Sequence, residues 1–485
     1  MAIRPLLASV VLLLSAIPML AQMPPTPTQL SSAMPPNVAA GPPPLGINPP
    51  FQRKVDIFAW QQFVAMNWPP AGAGQPGPGP IGQNGDNDTV WETYLSTGQV
   101  FQPGAKAPPP WGTPEPIPAF CPKPPTGLAT QRLKLMSLIA KGDVQDEFFE
   151  SFTSSPLFDV NGRYTRYEVR INQDEYKKIV QGGGQGPWYI PANQVAPIVL
   201  PAGDNLTGAI GAVEIKASWR QINASERGRY HSAYAYITYA PDPKTNLDTK
   251  CVGPQLMGMV GLHIAHKTTT FPQWAWATFE HVDNAPPPAP TSAKNFSYNN
   301  NPNCTLASGC ANQQPPTIAG GYTGDPGKTY PPVQVVRAVP IPNAKNDPTT
   351  GINPPFQQLL RAVNPKSVWQ YYELVDIQWP SQGGTVQNPT KCPDFTCGGT
   401  LGHQGPVPVP FQLANTTMET YFQNFPANKN ASRGTCMGCH SIATVATGAP
   451  DATATTDFSF LFGDAQPPSG ETRPPRVRRK KPSGH

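Results

Sequence analysis

The chain has 485 residues, of which 65 are prolines and 13% are charged, and its formal net charge is +5 at pH 7. Such sparse charge, interrupted so often by proline, excludes a coiled coil or a helical bundle. Six of the 35 basic residues lie between positions 473 and 481, so the rest of the chain is close to neutral.

The amino terminus has the features of an export signal. Arg4 precedes a mostly apolar run over 6–20, and small residues allow cleavage after Ala21. This pattern predicts a signal peptide over 1–21 and a periplasmic or secreted mature protein. An uncleaved membrane anchor is the alternative, and no later segment is apolar enough to span a membrane.

Residues 22–45 are rich in proline and predict an extended linker. A helix is then expected from the sequence at 46–52, with Asn48 as its N-cap and prolines in its first positions. It is apolar nearly all round and should be buried. The same seven residues recur at 351–357, which favours a second helix, ending before Pro365, over a duplicated domain.

Alternating apolar and polar residues predict strands through the middle of the chain. A helix is expected after Thr130, and another from Asn415 or Thr416. The expected class is α+β, with a mainly antiparallel β scaffold, long proline-rich loops and a C-terminal helical haem segment. The predicted strands are a hairpin over 157–171 around an Asn-Gly turn, then 213–220, 230–239, 256–266, 273–281 and 333–339.

The motif that organises this interpretation is Cys-Met-Gly-Cys-His at 436–440. Two thiols three residues apart can reach both vinyl groups of one porphyrin, and His440 beside them can bind its iron as the proximal ligand. The motif therefore predicts one covalent haem c on Cys436 and Cys439. A zinc site or a redox dithiol is the alternative, but the only similar pair, Cys392 and Cys397, lies some forty residues upstream.

The pentapeptide resembles that of c-type cytochromes. Two longer stretches, Trp274–Asn284 and Asn415–Tyr421, resemble an uncharacterised family of exported bacterial cytochrome c proteins with a single motif near the C-terminus. That resemblance implies haem binding but no assigned reaction. The predicted organisation is a scaffold over 46–410, a haem segment over 411–465 packed on it, and a disordered basic tail over 466–485.

The other cysteines are even in number, which suggests disulfides in an exported chain. Two local pairs are possible, Cys304 with Cys310 and Cys392 with Cys397. This leaves Cys121 to pair with Cys251.

The sixth iron ligand is the open question at this site. Beyond the motif the chain has no methionine, and its only histidine is His485, so a distal ligand must come from upstream or be absent. Because His263 and His266 are three apart in a predicted strand, they face opposite ways. The candidates are, in order, His263, His281, His266 and Met418.

Two functions follow from this arrangement. The first is an exported monohaem cytochrome that passes single electrons to or from a redox partner protein. The second is a haem enzyme, peroxidase-like or acting on a small molecule, with an open sixth position and one of His263, His266 or His281 as acid or base. A gas-sensing module shares that open position. Nucleic acid is not an expected partner of an exported haem protein.

Overall fold

The computed structural model describes residues 23–44, 48–82, 88–128, 133–137, 155–240, 248–288, 295–381, 408–410, 412–423, 436–441, 443–447 and 452–468. Its strands are β1 (Pro70–Gly72), β2 (Gln75–Pro76), β3 (Leu95–Ser96), β4 (Lys134–Met136), β5 (Arg166–Ile171), β6 (Val213–Gln221), β7 (Ser232–Tyr239), β8 (Lys250–His266), β9 (Ala275–His281), β10 (Tyr372–Pro380), β11 (Pro408–Val409), β12 (Thr444–Ala446) and β13 (Thr453–Thr455). Its α-helices are α1 (Pro49–Met66), α2 (Thr97–Val100), α3 (Gln173–Gln181), α4 (Asn343–Asn346), α5 (Asn353–Val363) and α6 (Cys436–His440).

One large sheet dominates the described part of the chain. Seven of its strands follow the order β11-β10-β9-β8-β6-β5-β3, β7 pairs with β8, and β4 pairs with β7. Every pair in it is antiparallel except β4 with β7. The predicted mixed α+β class with a mainly antiparallel sheet is therefore confirmed. No helix among the described residues is long and apolar enough to cross a membrane.

Helix α1 packs on one face of the sheet. The side chain of Asn48 accepts a hydrogen bond from the backbone N–H of Phe51 (3.0 Å), and prolines occupy the first helical positions, as predicted. Phe63 stacks on Phe279 of β9 with ring centroids 4.3 Å apart, and Trp60 meets the same ring edge-on at 5.1 Å. This helix is buried because almost every side of it contacts apolar side chains.

The second copy of the heptapeptide also begins a helix, α5, which ends before Pro365. Its asparagine has a different role from that of Asn48. The side-chain oxygen of Asn353 accepts hydrogen bonds from Nε1 of Trp60 and from the backbone N–H of Leu374, both at 3.0 Å. The repeat therefore joins α5 to α1 and to β10, and the prediction of two helix starts is confirmed.

The other face of the sheet is covered in part by the C-terminal segment. One buried cluster unites Val169, Ala265 and Trp276 of the sheet with Met437 and Phe462 of that segment. Strands β12 and β13 pair there as a small antiparallel hairpin. The cavity described below lies between these two parts.

Two of the suggested disulfides are present, Cys121–Cys251 and Cys304–Cys310. The first joins Cys121 to Cys251, which lies 130 positions later at the start of β8. The third suggested pair, the signal peptide and residues 469–485 of the basic tail lie outside the described residues. The described chain thus carries the long-range disulfide that the even cysteine count suggested.

The prediction of a helix after Thr130 is wrong for the described residues 133–137, which contain strand β4. The segment forms a strand because the contacts of a buried lysine hold it in the sheet. Lys134 pairs with Glu92 (3.0 Å) and Glu168 (2.8 Å), and its ammonium group lies 4.9 Å from the ring centroids of Trp91 and Trp219. These contacts hold the segment in the sheet, where it pairs with β7.

Two other expected elements differ from the structure. Residues 333–339 form no strand; Val333, Val335 and Arg337 each donate one backbone hydrogen bond to a different loop. The helix expected from Asn415 is a turn that ends in a 3₁₀ segment, Thr420–Phe422. Its polar side chains bond to the sheet instead of capping a helix.

Candidate functional site

The motif residues lie on the short helix α6, which is fixed against the sheet. Neither Cys436 nor Cys439 forms a disulfide, and both side chains are partly exposed. Between them Met437 is fully buried, and its backbone N–H donates to the side-chain oxygen of Gln378 on β10 at 2.9 Å. One buried residue therefore anchors the helix, and both sulfurs line the adjacent cavity.

The imidazole of His440 is oriented by its surroundings. Its Nδ1 lies 2.7 Å from the carbonyl oxygen of Phe458. Because a carbonyl can only accept, Nδ1 carries the proton and the neutral ring has its lone pair on Nε2, as a haem ligand requires. The rings of Trp276 and Phe460 flank the imidazole with centroids at 4.3 and 5.0 Å.

A turn with unusual backbone geometry presents that carbonyl. Asp457 and Phe458 have φ values of 56° and 69°, which non-glycine residues rarely adopt. The Asp457 carboxylate holds the turn by accepting from the backbone N–H of Leu200 at 2.7 Å and by pairing with Lys267. Burial nevertheless raises the pKa of Asp457. No pattern in the sequence predicted this carbonyl bond.

A cavity that is partly open to solvent lies beside the motif. Its lining is mostly apolar, with five side chains that carry ionisable groups besides the thiols. The lining comprises Val169, Glu214, Ile215, Lys216, His263, Ile264, Ala265, Trp276, Ala277, Val339, Gln412, Leu413, Ala414, Glu419, Phe422, Cys436, Cys439, His440 and Leu461.

Strand register explains why these side chains meet. Lys216 of β6 pairs with His263 of β8, and in the next row Glu214 pairs with Ala265, which pairs with Trp276 of β9. Paired residues, and residues two apart in one strand, point to the same face of a sheet. His263 and Trp276 therefore face the C-terminal segment, away from α1.

Of the four candidate sixth ligands, only His263 lines this cavity. Its Nε2 lies 3.2 Å from Oε1 of Glu419, and its side chain is 16% exposed. The prediction that His263 and His266 face opposite sides is confirmed. Met418 is buried in the turn before Glu419 but is not part of the cavity wall.

The other two histidines are engaged elsewhere in the core. His266 has its ring nitrogens 2.9 and 2.6 Å from the side-chain oxygen of Gln62 and the carbonyl of Ile210, and burial lowers its pKa to about 4. His281 donates from Nε2 to the carbonyl of Arg229 and accepts at Nδ1 from the backbone N–H of Asp283; burial lowers its pKa to about 3. Both rings are neutral structural groups near pH 7.

Two tryptophan rings lie beside the motif. Trp274 and Trp276 are roughly parallel, with ring centroids 6.0 Å apart, and Trp276 contacts His440.

Glu214 of the cavity wall adjoins a second buried carboxyl, that of Glu175. Burial first, and then the neighbouring Glu214 carboxyl, raise the pKa of Glu175 well above its usual range. Burial also raises the pKa of Glu214. Two adjoining buried carboxyls cannot both ionise cheaply, so we expect the pair to bind a proton more tightly than isolated carboxyls do. No pattern in the sequence predicted this pair, since Glu175 lies in a helix and Glu214 in a strand.

We expect the unfolding free energy of the Glu175→Gln variant to depend less on pH than that of the wild type. A carboxyl whose pKa is raised by folding stabilises the folded state fully at pH values below its pKa in the unfolded state. That stabilisation is lost as the pH rises through its pKa in the folded state. The loss approaches about 1.4 kcal/mol per pH unit for one proton. Urea unfolding of both proteins between pH 4 and 9 tests this, with Glu175→Gln/Glu214→Gln as the control that lacks both sites. Parallel pH curves would show that Glu175 holds no such proton.

The described residues contain no cluster of three or more His, Cys, Asp or Glu side chains that could hold a metal ion. The zinc alternative would therefore need ligands from outside them. No protein-family model, curated protein or solved structure matches the chain.

Proposed function

We propose that the chain is an exported monohaem c-type cytochrome that transfers single electrons. The observation that carries this proposal is the placement of Cys436, Cys439 and His440 on one helical turn at the edge of a mainly apolar cavity. Bound haem would supply a one-electron iron couple that no side chain provides.

The residues present suit that group. Cys436 and Cys439 are thiols outside any disulfide, the form that a thioether bond requires, and the Phe458 carbonyl keeps a lone pair on Nε2 of His440. Apolar side chains, Leu461 and Leu413 among them, would exclude water from the porphyrin. We further propose a periplasmic or secreted location, a redox partner protein, and membership of the exported bacterial cytochrome family that the sequence resembles. Two disulfides are compatible with that location.

Expression of the full chain with haem-maturation machinery tests the proposal. We expect one haem per chain that resists extraction by acidified organic solvent, a c-type absorption spectrum on reduction, and a single one-electron step in a potentiometric titration. A purified protein without covalent haem, or one that holds zinc at the two thiols, would refute it.

A further inference from the structure

The cavity wall also carries a histidine paired with a carboxylate. Nε2 of His263 and Oε1 of Glu419 are 3.2 Å apart, and the two side chains are 16% and 13% exposed. The second nitrogen of the ring, Nδ1, makes no hydrogen bond within the described part of the chain. Glu419 accepts a second hydrogen bond at Oε2, from the backbone N–H of Asn415 at 2.8 Å.

The loop that delivers Glu419 is rigidly anchored. Thr416 donates to the buried carboxylate of Glu280 from its backbone N–H and its hydroxyl, both at 2.6 Å. Its neighbour Thr417 packs so closely on β8 that a Cβ at Gly261 would lie 2.7 Å from its hydroxyl oxygen. Because Gly261 is two residues before His263, the same contact places the loop beside the histidine. The pair is thus preorganised by the fold.

The hydrogen bond defines the tautomer of the histidine. An ionised carboxylate can only accept, so Nε2 of His263 carries the proton and Nδ1 carries the lone pair. A ring fixed in this way keeps its lone pair at Nδ1, and the carboxylate of Glu419 lies beside the ring at Nε2. If Nε2 bound the iron instead, the bond to Glu419 would be lost.

We propose that His263 and Glu419 form a proton-accepting pair for a small, uncharged weak acid that binds in the cavity, such as hydrogen peroxide or hydrogen cyanide. The bond between the acid and its proton breaks, the proton goes to Nδ1 of His263, and the conjugate base stays in the cavity with its electron pair. No electron is exchanged in this step. This inference rests on the proposed haem function and gives its site a ligand class.

Hydrogen cyanide is a suitable probe, since it is uncharged near neutral pH and must lose its proton on binding to ferric haem. Stopped-flow mixing of cyanide with the oxidised, haem-loaded protein gives the association rate. We expect His263→Gln to slow association by about 10²–10⁴-fold, the usual contribution of a positioned acid or base. Glu419→Gln should slow it less, because Nδ1 keeps its lone pair and loses only the stabilising charge.

Two controls separate proton transfer from general damage. Carbon monoxide carries no proton, so its binding to the reduced protein should be unchanged within about threefold in His263→Gln. His266→Gln changes the same strand on its other face and should leave the cyanide rate unchanged.

Three outcomes would overturn the inference. The first is equal cyanide rates in the wild type and His263→Gln. The second is a low-spin wild-type spectrum that becomes high-spin in His263→Gln, which would identify His263 as the sixth iron ligand and restore the first expectation from the sequence. In both cases the haem function would stand. Absence of covalent haem would overturn the proposed function, and this inference with it.

Discussion

Replacing both Cys436 and Cys439 with serine is expected to abolish covalent haem attachment. A serine hydroxyl does not form the thioether that a thiol forms with a vinyl group, so neither position can hold the porphyrin. A single substitution leaves one thiol and should reduce the yield of haem-loaded protein without abolishing it. Haem staining after denaturing electrophoresis measures the result directly.

The matched control is Cys304→Ser/Cys310→Ser, which removes a disulfide far from the cavity in sequence. This variant should retain covalent haem. The sheet should persist in the variant that lacks both haem thiols, because α1 and its core lie on the opposite face. Far-UV circular dichroism checks that point. Covalent haem on the doubly substituted motif would contradict the assignment of these cysteines.

Glu280→Ala is expected to destabilise the folded chain by about 3–5 kcal/mol, the usual cost of breaking a buried ion pair. Glu280 is fully buried and pairs with Arg337 at 2.5 Å while also accepting both hydrogen bonds from Thr416. Its loss would leave a buried guanidinium without its counter-charge and free the turn that carries Glu419. Urea denaturation gives the change in unfolding free energy.

A double-mutant cycle provides the control for this prediction. Glu280→Leu/Arg337→Leu removes both charges together and should recover a large part of the stability lost in Glu280→Leu alone. Equal losses in the single and double variants would show that the ion pair is not the source of the effect. The cyanide rate in Glu280→Gln then reports whether the turn still holds Glu419 against His263.

The strands that the sequence predicted best are those with clean alternation. At the ends that meet the cavity, strands β6, β8 and β9 begin or end within a residue or two of the predicted ranges. Their alternation is clean because each strand has one face against α1 and the other toward the C-terminal segment. The opposite orientation of His263 and His266 followed from the same period of two. The two disulfides, and the absence of a disulfide at Cys436 and Cys439, agreed with cysteine spacing and count.

The sequence could not predict contacts between residues distant in the chain. The two stretches used for the family resemblance bond to each other through Glu280 and Thr416, which are 136 positions apart. The hydrogen bond between His440 and the Phe458 carbonyl, and the contact between Glu175 and Glu214, also join residues that lie apart in the sequence. Apolar spacing around Lys134 fitted a helix as well as a strand, and only its buried partners decided between them.

The burial of Met437 has a consequence for how the protein matures. Once α6 is docked, this side chain has no exposed surface and its backbone N–H is bonded to β10. If the chain carries the proposed haem, we expect its attachment to take place while the C-terminal segment is still undocked. The expected order of assembly is then modification first and docking second.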